Sequence, residues 1–367
     1  MLDRDVTRFV AIALLLGSVA ALAPNPWYAT DRGTYEAIGR RWILPDCSDL
    51  HCFRVLVAWT LERLPGPSIV KWKAYAVLAN AGAAVALGRL CAALGFTRQS
   101  GAYAAWLAAL GFGSLYTLFD PYTSDPLMFL LGPTLMTLLL GDRIATASAV
   151  AAVGVFAKEF AAAVLWIFTV YAAMAREWQR FYRALLGAAT VALIWVLFHL
   201  WLQLTYNYGY AGSASTDLLG GGYLRVWASY MSPRVAASVV FAEFGALFLL
   251  IPAGLWWATR QLRLLTVAAV PALVALAYVQ QPDRALWNFH FLAIPLAVVV
   301  LEALPPVLAW AFVAAYALAN LRFGAQVAFV PSARFPVAVS LLLAVAAIGC
   351  KIFGGPDAKR SVAAVGS

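Results

Sequence analysis

Phe9-Val-Ala-Ile-Ala-Leu-Leu-Leu-Gly-Ser-Val-Ala-Ala-Leu-Ala23 contains no ionisable side chain; Arg4 and Arg8 precede it and Pro24 follows. Such a run is either the core of a signal peptide or the first helix of a membrane protein. The rest of the chain decides between them. Apolar runs of comparable length recur to the end of the 367 residues, and no clean cleavage site stands before Pro24. Hydrophobic residues make up 63% of the chain and charged residues 12%, against about 25% charged in an ordinary soluble domain. A water-soluble fold of that composition has nowhere to place its surface. The chain therefore reads as an all-α, polytopic membrane helix bundle whose first run is a membrane helix.

With the amino terminus inside, the pattern predicts about twelve spans, near 8–23, 68–94, 101–118, 126–141, 143–157, 160–175, 184–204, 236–258, 264–280, 288–303, 305–320 and 336–352. The stretch 143–175 reads equally as one kinked helix, so the count runs from 10 to 13. The orientation follows the arginines of short loops, among them Arg98, Arg143, Arg176, Arg180, Arg183, Arg260 and Arg263. This gives one transmembrane domain, 1–355, with a short cytoplasmic tail, 356–367. Two long loops, 24–67 and 205–235, then face the extracytoplasmic (periplasmic) side of the inner, plasma membrane. Loops are where chemistry concentrates. The net charge of +9 points to membrane lipids with anionic head groups or to phosphate-bearing ligands. Nucleic acid is excluded as a partner, since no basic soluble patch exists to hold it.

The first outer loop carries its own periodicity. Tyr35, Ile38, Trp42 and Ile43 fall at helical spacing, with Arg32, Arg40 and Arg41 off that stripe. Leu50, Phe53, Val57, Leu61 and Leu64 repeat the pattern across 48–64, with Arg54, Glu62 and Arg63 off it. Both stretches predict amphipathic helices lying in the membrane interface. Between them stand Cys47 and Cys52, which either form a disulfide in an oxidising compartment or remain two thiols. His51 alone is too few ligands for zinc. In the second loop, Tyr206-Asn-Tyr-Gly-Tyr-Ala-Gly212 and Gly220-Gly-Gly-Tyr223 make either a mobile aromatic lid for a sugar or lipid, or a plain connection.

Ionisable groups at membrane depth cost several kcal/mol unless they face a cavity or partner, so each is a functional candidate. Asp31, in Trp27-Tyr-Ala-Thr-Asp-Arg-Gly-Thr-Tyr-Glu36, either caps the following helix or serves as a general base at the membrane surface. Asp120 and Asp125 flank Pro-Tyr-Thr-Ser; they cap a turn, position an acceptor, or hold a divalent cation such as magnesium or manganese. Glu36 belongs with them as a second carboxylate of the first loop. Lys158 and Glu159 interrupt an apolar stretch; Lys158 either meets a phosphate or forms a structural ion pair with another helix. Asp283-Arg284 opens the tenth span, and Arg284 either forks onto phosphate oxygens or reaches lipid head groups. Arg322 is a further outer cation. His290 is packed or catalytic, and Glu243 and Glu302 read as helix–helix contacts.

Four places in this layout resemble the GT-C superfamily of integral membrane glycosyltransferases, which use polyprenyl-phosphate-linked sugars. A first span leads into an outer acidic residue (Asp31-x3-Tyr35), and its loop continues as two interfacial helices. Acidic residues occupy the next outer turn (Asp120, Asp125). A Lys158-Glu159 corner and an Arg284-to-Pro295 segment follow. The resemblance implies Asp31 as general base on an acceptor hydroxyl, with inversion at the anomeric carbon. Lys158, Arg284 and Arg322 would then meet the donor phosphate, and no organic cofactor would be needed. The absence of a large carboxy-terminal soluble domain here favours a lipid-linked or small glycan acceptor. Two competing readings remain at this point. One is a twelve-helix secondary transporter, suggested by the basic midpoint loop Arg176–Arg183; the other is a non-catalytic lipid or glycan assembly component.

Overall fold

A computed structural model describes residues 2–23, 31–209, 228, 232–279, 286–321 and 334–353. In chain order they form α1 (Leu2–Leu22), α2 (Asp31–Arg41), a 3-10 turn (Leu50–Phe53), α3 (Val55–Glu62), α4 (Ser68–Ala93), α5 (Arg98–Ala109), α6 (Phe112–Phe119), α7 (Asp125–Leu140), α8 (Ile144–Gly154), α9 (Phe160–Met174) and α10 (Trp178–Tyr206). After the second loop come α11 (Pro233–Phe244), α12 (Leu247–Trp257), α13 (Arg260–Ala268), α14 (Val270–Val279), a second 3-10 turn (Leu286–Phe289), α15 (His290–Leu301), α16 (Pro306–Asn320) and α17 (Arg334–Phe353). Among the described residues there is no strand.

The helices follow the apolar runs because in hydrocarbon the backbone must satisfy its own hydrogen bonds. α4 is the central post, packed against α1, α5 and α7. Its inward face is small and apolar (Ala76, Ala83, Ala84, Leu87), which lets its neighbours approach closely. Outward faces carry large apolar side chains in the open: Leu14 is 68% exposed, Leu186 71% and Leu342 70%. Water would penalise that surface; lipid does not.

Among the described residues five helical segments are long and apolar enough to cross a membrane: Arg4–Leu22, Ser68–Ala93, Arg98–Phe119, Trp178–Tyr206 and Arg334–Phe353. The first four and the last coincide with expected spans. The expected span 236–258 is instead two helices, α11 and α12, meeting at 96°. Gly245 sits at the break with φ 52° and ψ −136°, a conformation open to glycine and strained for other residues. The expected span 264–280 divides at Ala269 into α13 and α14. α7, α8, α9 and α16 are apolar but only 11 to 16 residues long. At 1.5 Å per residue they reach about 17–24 Å, short of a ~30 Å hydrocarbon core.

Residues 31–67, the described part of the first long loop, fold onto one end of this bundle. Tyr35 and Ile38 of α2 and Val57 and Leu61 of α3 pack with Phe53, Trp72 and Tyr122 into a separate apolar cluster. Residues 48–64 are not one helix: the chain turns at Arg54 (φ −100°, ψ 64°) between the 3-10 turn and α3. Two positions of the expected stripes face outward, Trp42 at 46% and Leu64 at 50% exposed. The start of the second loop joins the first: Tyr206 O accepts from Asp46 N (2.9 Å), and Gly209 N donates to Cys47 O (2.9 Å). Tyr208 Oη accepts from Leu44 N at 2.9 Å. The Gly220–Tyr223 stretch lies outside the described residues.

Candidate active site at one end of the bundle

Asp31 is the first residue of α2, where backbone N–H groups and the helix dipole favour a carboxylate. Its Oδ2 lies 3.3 Å from His51 Nε2. The other ring nitrogen, Nδ1, lies 2.7 Å from Asp49 Oδ1, so the imidazole bridges two carboxylates. Asp49 also accepts from His51 N (3.0 Å) and from Thr34 Oγ1 (3.1 Å). Burial pushes Asp49 up, but the ring and amide N–H of His51, its charge and the Thr34 hydroxyl outweigh it. The carboxyl is held down at about 2. Cys47 and Cys52 form a disulfide that closes the short ring carrying Asp49 and His51.

Tyr35, one turn along α2, connects this loop to the bundle. Its ring lies 5.4 Å from His51 and 5.3 Å from Trp72. Burial pushes its hydroxyl up to about 12, with Arg54 pulling down and Asp125 pushing up. Arg54, 8% exposed, donates from Nη2 to Glu159 Oε1 at 2.9 Å. Its Nε is buried with no acceptor among the described residues. Burial works against its charge, but Glu159, with Tyr35 and Asp125, raises its pKa. Arg54, placed off the apolar stripe of a helix over 48–64, is instead buried at the junction between the 3-10 turn and α3 and paired with Glu159.

Lys158 and Glu159 sit in the break between α8 and α9, which Leu56 N pins by donating to Phe156 O at 3.0 Å. Neighbouring residues diverge here: Glu159 turns to Arg54, and Lys158 turns to Asp125 at the start of α7. The Lys158–Asp125 pair is deeply enclosed, with side chains 3% and 12% exposed.

A cavity of about 550 Å³ opens beside this network. Arg54, Glu159 and His199 form its polar part, and Trp166, Trp195 and Ala272 are among the apolar side chains that line the rest. His199 stacks flat on Phe53 with centroids 4.2 Å apart. The cavity wall carries Arg54 but not Lys158. Chemically, it offers a cation and a carboxylate at one part of an otherwise apolar space, suited to an amphiphile with an anionic head.

The other expected residues distribute as follows. Glu36 pairs with Arg32 (3.0 Å) and Arg40 (3.7 Å). Burial pushes its carboxyl up, yet Ser68 and Arg32 bring it below the usual value. Asp120 ends α6 and accepts from Tyr116 Oη at 3.4 Å. Among the described residues no three His, Cys, Asp or Glu side chains gather as a metal site, and Asp125 is committed to Lys158. His290 is 1% exposed, stacked on Trp287, with Nδ1 3.0 Å from Trp287 O. Its ring neighbours Trp287 and Phe291 belong to the main core, not to the cluster around Tyr35. Glu302 accepts from Ser100 Oγ, a contact between helices as expected. Asp283, Arg284 and Arg322 lie outside the described residues.

Sequence reasoning missed two members of the network. His51 was weighed only as a metal ligand, although an aspartate two residues before it inside a Cys47–Cys52 ring was a usable signal. Arg54 was hidden by its helical stripe.

No protein-family model matches the chain, and no curated protein matches it. Among solved structures, the fold is similar to that of the Archaeoglobus fulgidus oligosaccharyltransferase in its apo form. The TM-score is 0.51 and the identity 13%, covering 94% of this chain and 54% of that one. The chain thus spans about half the length of that structure. At this identity the likeness speaks to fold alone, and it agrees with the GT-C type of helical membrane architecture read from the sequence.

Proposed function

We propose that this protein is an integral membrane glycosyltransferase that moves a sugar from a polyprenyl-phosphate-linked donor to a lipid-linked or glycan acceptor. The active face is the extracytoplasmic one, at the first loop, in a bundle of about twelve spans in the inner membrane. The observation that carries the proposal is the cavity with Arg54 and Glu159 at its polar part, next to the loop that presents Asp31. Its apolar wall suits a prenyl chain, and the Arg54 guanidinium on the cavity suits a phosphate oxygen.

In this mechanism Asp31 takes the proton of the acceptor hydroxyl while that oxygen attacks the anomeric carbon from the face opposite the leaving group. The bond to the polyprenyl phosphate breaks, and the anomeric configuration inverts. The negative charge that develops on the leaving phosphate is met by Arg54, with Arg284 and Arg322 as further cations. Lys158 keeps Asp125 in place from the buried side. Glu36 and Asp120 orient the acceptor, and Asp283, Glu159 and His290 are given no step.

The test is transfer of radiolabelled sugar from polyprenyl-phosphate-sugars in proteoliposomes. Asp31→Asn removes the base while keeping shape and abolishes transfer, at least 10²-fold by the usual size of general-base effects. A fully active Asp31→Asn protein rules out Asp31 as the base.

A further inference from the structure

A second cavity, of about 540 Å³, lies between α1, α4 and α7. It is at the end of the bundle away from Asp31: Ser68, beside the first loop, and Arg89, on the cavity, stand about 30 Å apart along α4 at the helical rise. Nothing in the glycosyl-transfer reading uses it.

Its polar part is built from Asp5, Arg89 and Arg143. Arg89 Nε pairs with Asp5 Oδ2 at 3.0 Å, but the side chain remains 51% exposed, leaving its terminal N–H groups toward solvent. Arg143 is exposed and has no carboxylate partner among the described residues. After Asp5 is counted, one positive charge remains. Arg8 adds another nearby: its guanidinium packs over Gly88, where a β-carbon would come within 3.1 Å of it.

The deeper wall is hydrocarbon in character. Phe9, Val85, Leu130 and Leu138 line it. The two hydroxyls present, Thr134 and Thr137, donate back to Leu130 O and Pro133 O at 2.7 Å each, so neither proton asks for a ligand. Gly82 lies on the groove facing Leu130, where a β-carbon would already stand in van der Waals contact at 3.4 Å, so a larger side chain there projects into the space.

We infer that this cavity binds an anionic phospholipid, with its phosphate on Arg89 and Arg143 and an acyl chain along α4 and α7. The paired guanidinium fork suits phosphate oxygens, and a basic pocket between membrane helices is a physical match for anionic head groups. A free phosphate would leave the apolar wall unused. A zwitterionic lipid would bring an ammonium to a site that already has excess positive charge.

Native mass spectrometry of the purified full chain tests this, with phosphatidylglycerol, phosphatidylcholine and glycerol 3-phosphate added separately at equal concentration. Phosphatidylglycerol adducts are expected to exceed phosphatidylcholine adducts. R143Q and R89Q should each lower phosphatidylglycerol retention about fivefold. G82L, which fills the groove and leaves every charge in place, should lower it too. R143Q is the fold-safe variant, because Arg143 is exposed and unpaired. Equal retention of phosphatidylcholine, or unchanged retention in R143Q, overturns the proposal. Glycerol 3-phosphate retained as well as phosphatidylglycerol also overturns it, marking a site for phosphate alone.

Discussion

Asp125→Asn removes the one ion-pair partner, among the described residues, of an ammonium that is 2% exposed. Lys158 is then left without the carboxylate that compensates it, in a place water hardly reaches. Removing one member of a buried pair typically costs about 3–5 kcal/mol, because the cost is the desolvation of the group left behind. With side chains 3% and 12% exposed, little solvent screening reduces that figure. Replacing both members by apolar residues of similar size, Asp125→Leu with Lys158→Met, removes the two desolvation costs together. It is expected to be neutral or stabilising by about 1–4 kcal/mol. The assay is denaturant unfolding of the purified protein in detergent, comparing both single variants with the double. The same membranes, assayed for sugar transfer, separate structure from chemistry. If the Lys158–Asp125 pair is purely structural, the folded double variant retains transfer. A single variant that loses less than about 1 kcal/mol, or a double variant as unstable as the singles, refutes the argument.

The remaining predictions concern the loop. His51→Ala is expected to lower the turnover of transfer more than it changes the donor's apparent affinity, and His51→Asn to restore part of it by keeping a side-chain amide near Asp31; steady-state kinetics decide. Arg54→Gln keeps a donor and loses the charge, so it should raise the donor concentration needed for half-maximal transfer about tenfold or more, as loss of a charge-assisted contact does. Reducing the Cys47–Cys52 bond, or replacing both residues with Ser, should cost about 2 kcal/mol by loop-closure entropy for a ring this short, read from thermal unfolding with and without reductant. Asp49 is held below its ordinary value, so its contribution to stability is complete above about 3.8 and lost as pH falls through about 2. Because its side chain is 40% exposed, the loss should stay near or below about 1 kcal/mol. Asp49→Asn should abolish that part of the acid unfolding profile.

Much of the architecture was legible in advance. Apolar runs located the helices because lipid leaves the backbone no partner but itself, so α4 and α10 follow where the runs are long. The stripe of Tyr35, Ile38, Val57 and Leu61 located the loop helices for the same reason a soluble core is legible: one face is removed from water. The nearness of Cys47 and Cys52 in the chain made a disulfide one of two readings, and the fold of the loop brings them together.

What the tertiary structure alone decided is which charges meet. Arg54 and Glu159 are 105 residues apart, and Lys158 and Asp125 are 33 apart. Periodicity reports which face of a helix is buried, but not which neighbour it is buried against. The 96° turn at Gly245 belongs to the same class, since an apolar run reads alike whether it crosses straight or bends. Asp31 was a candidate from its position after the first span. That it shares a histidine with Asp49 depends on a ring closing over α2, a packing outcome on which the one-dimensional pattern of polar and apolar residues is silent.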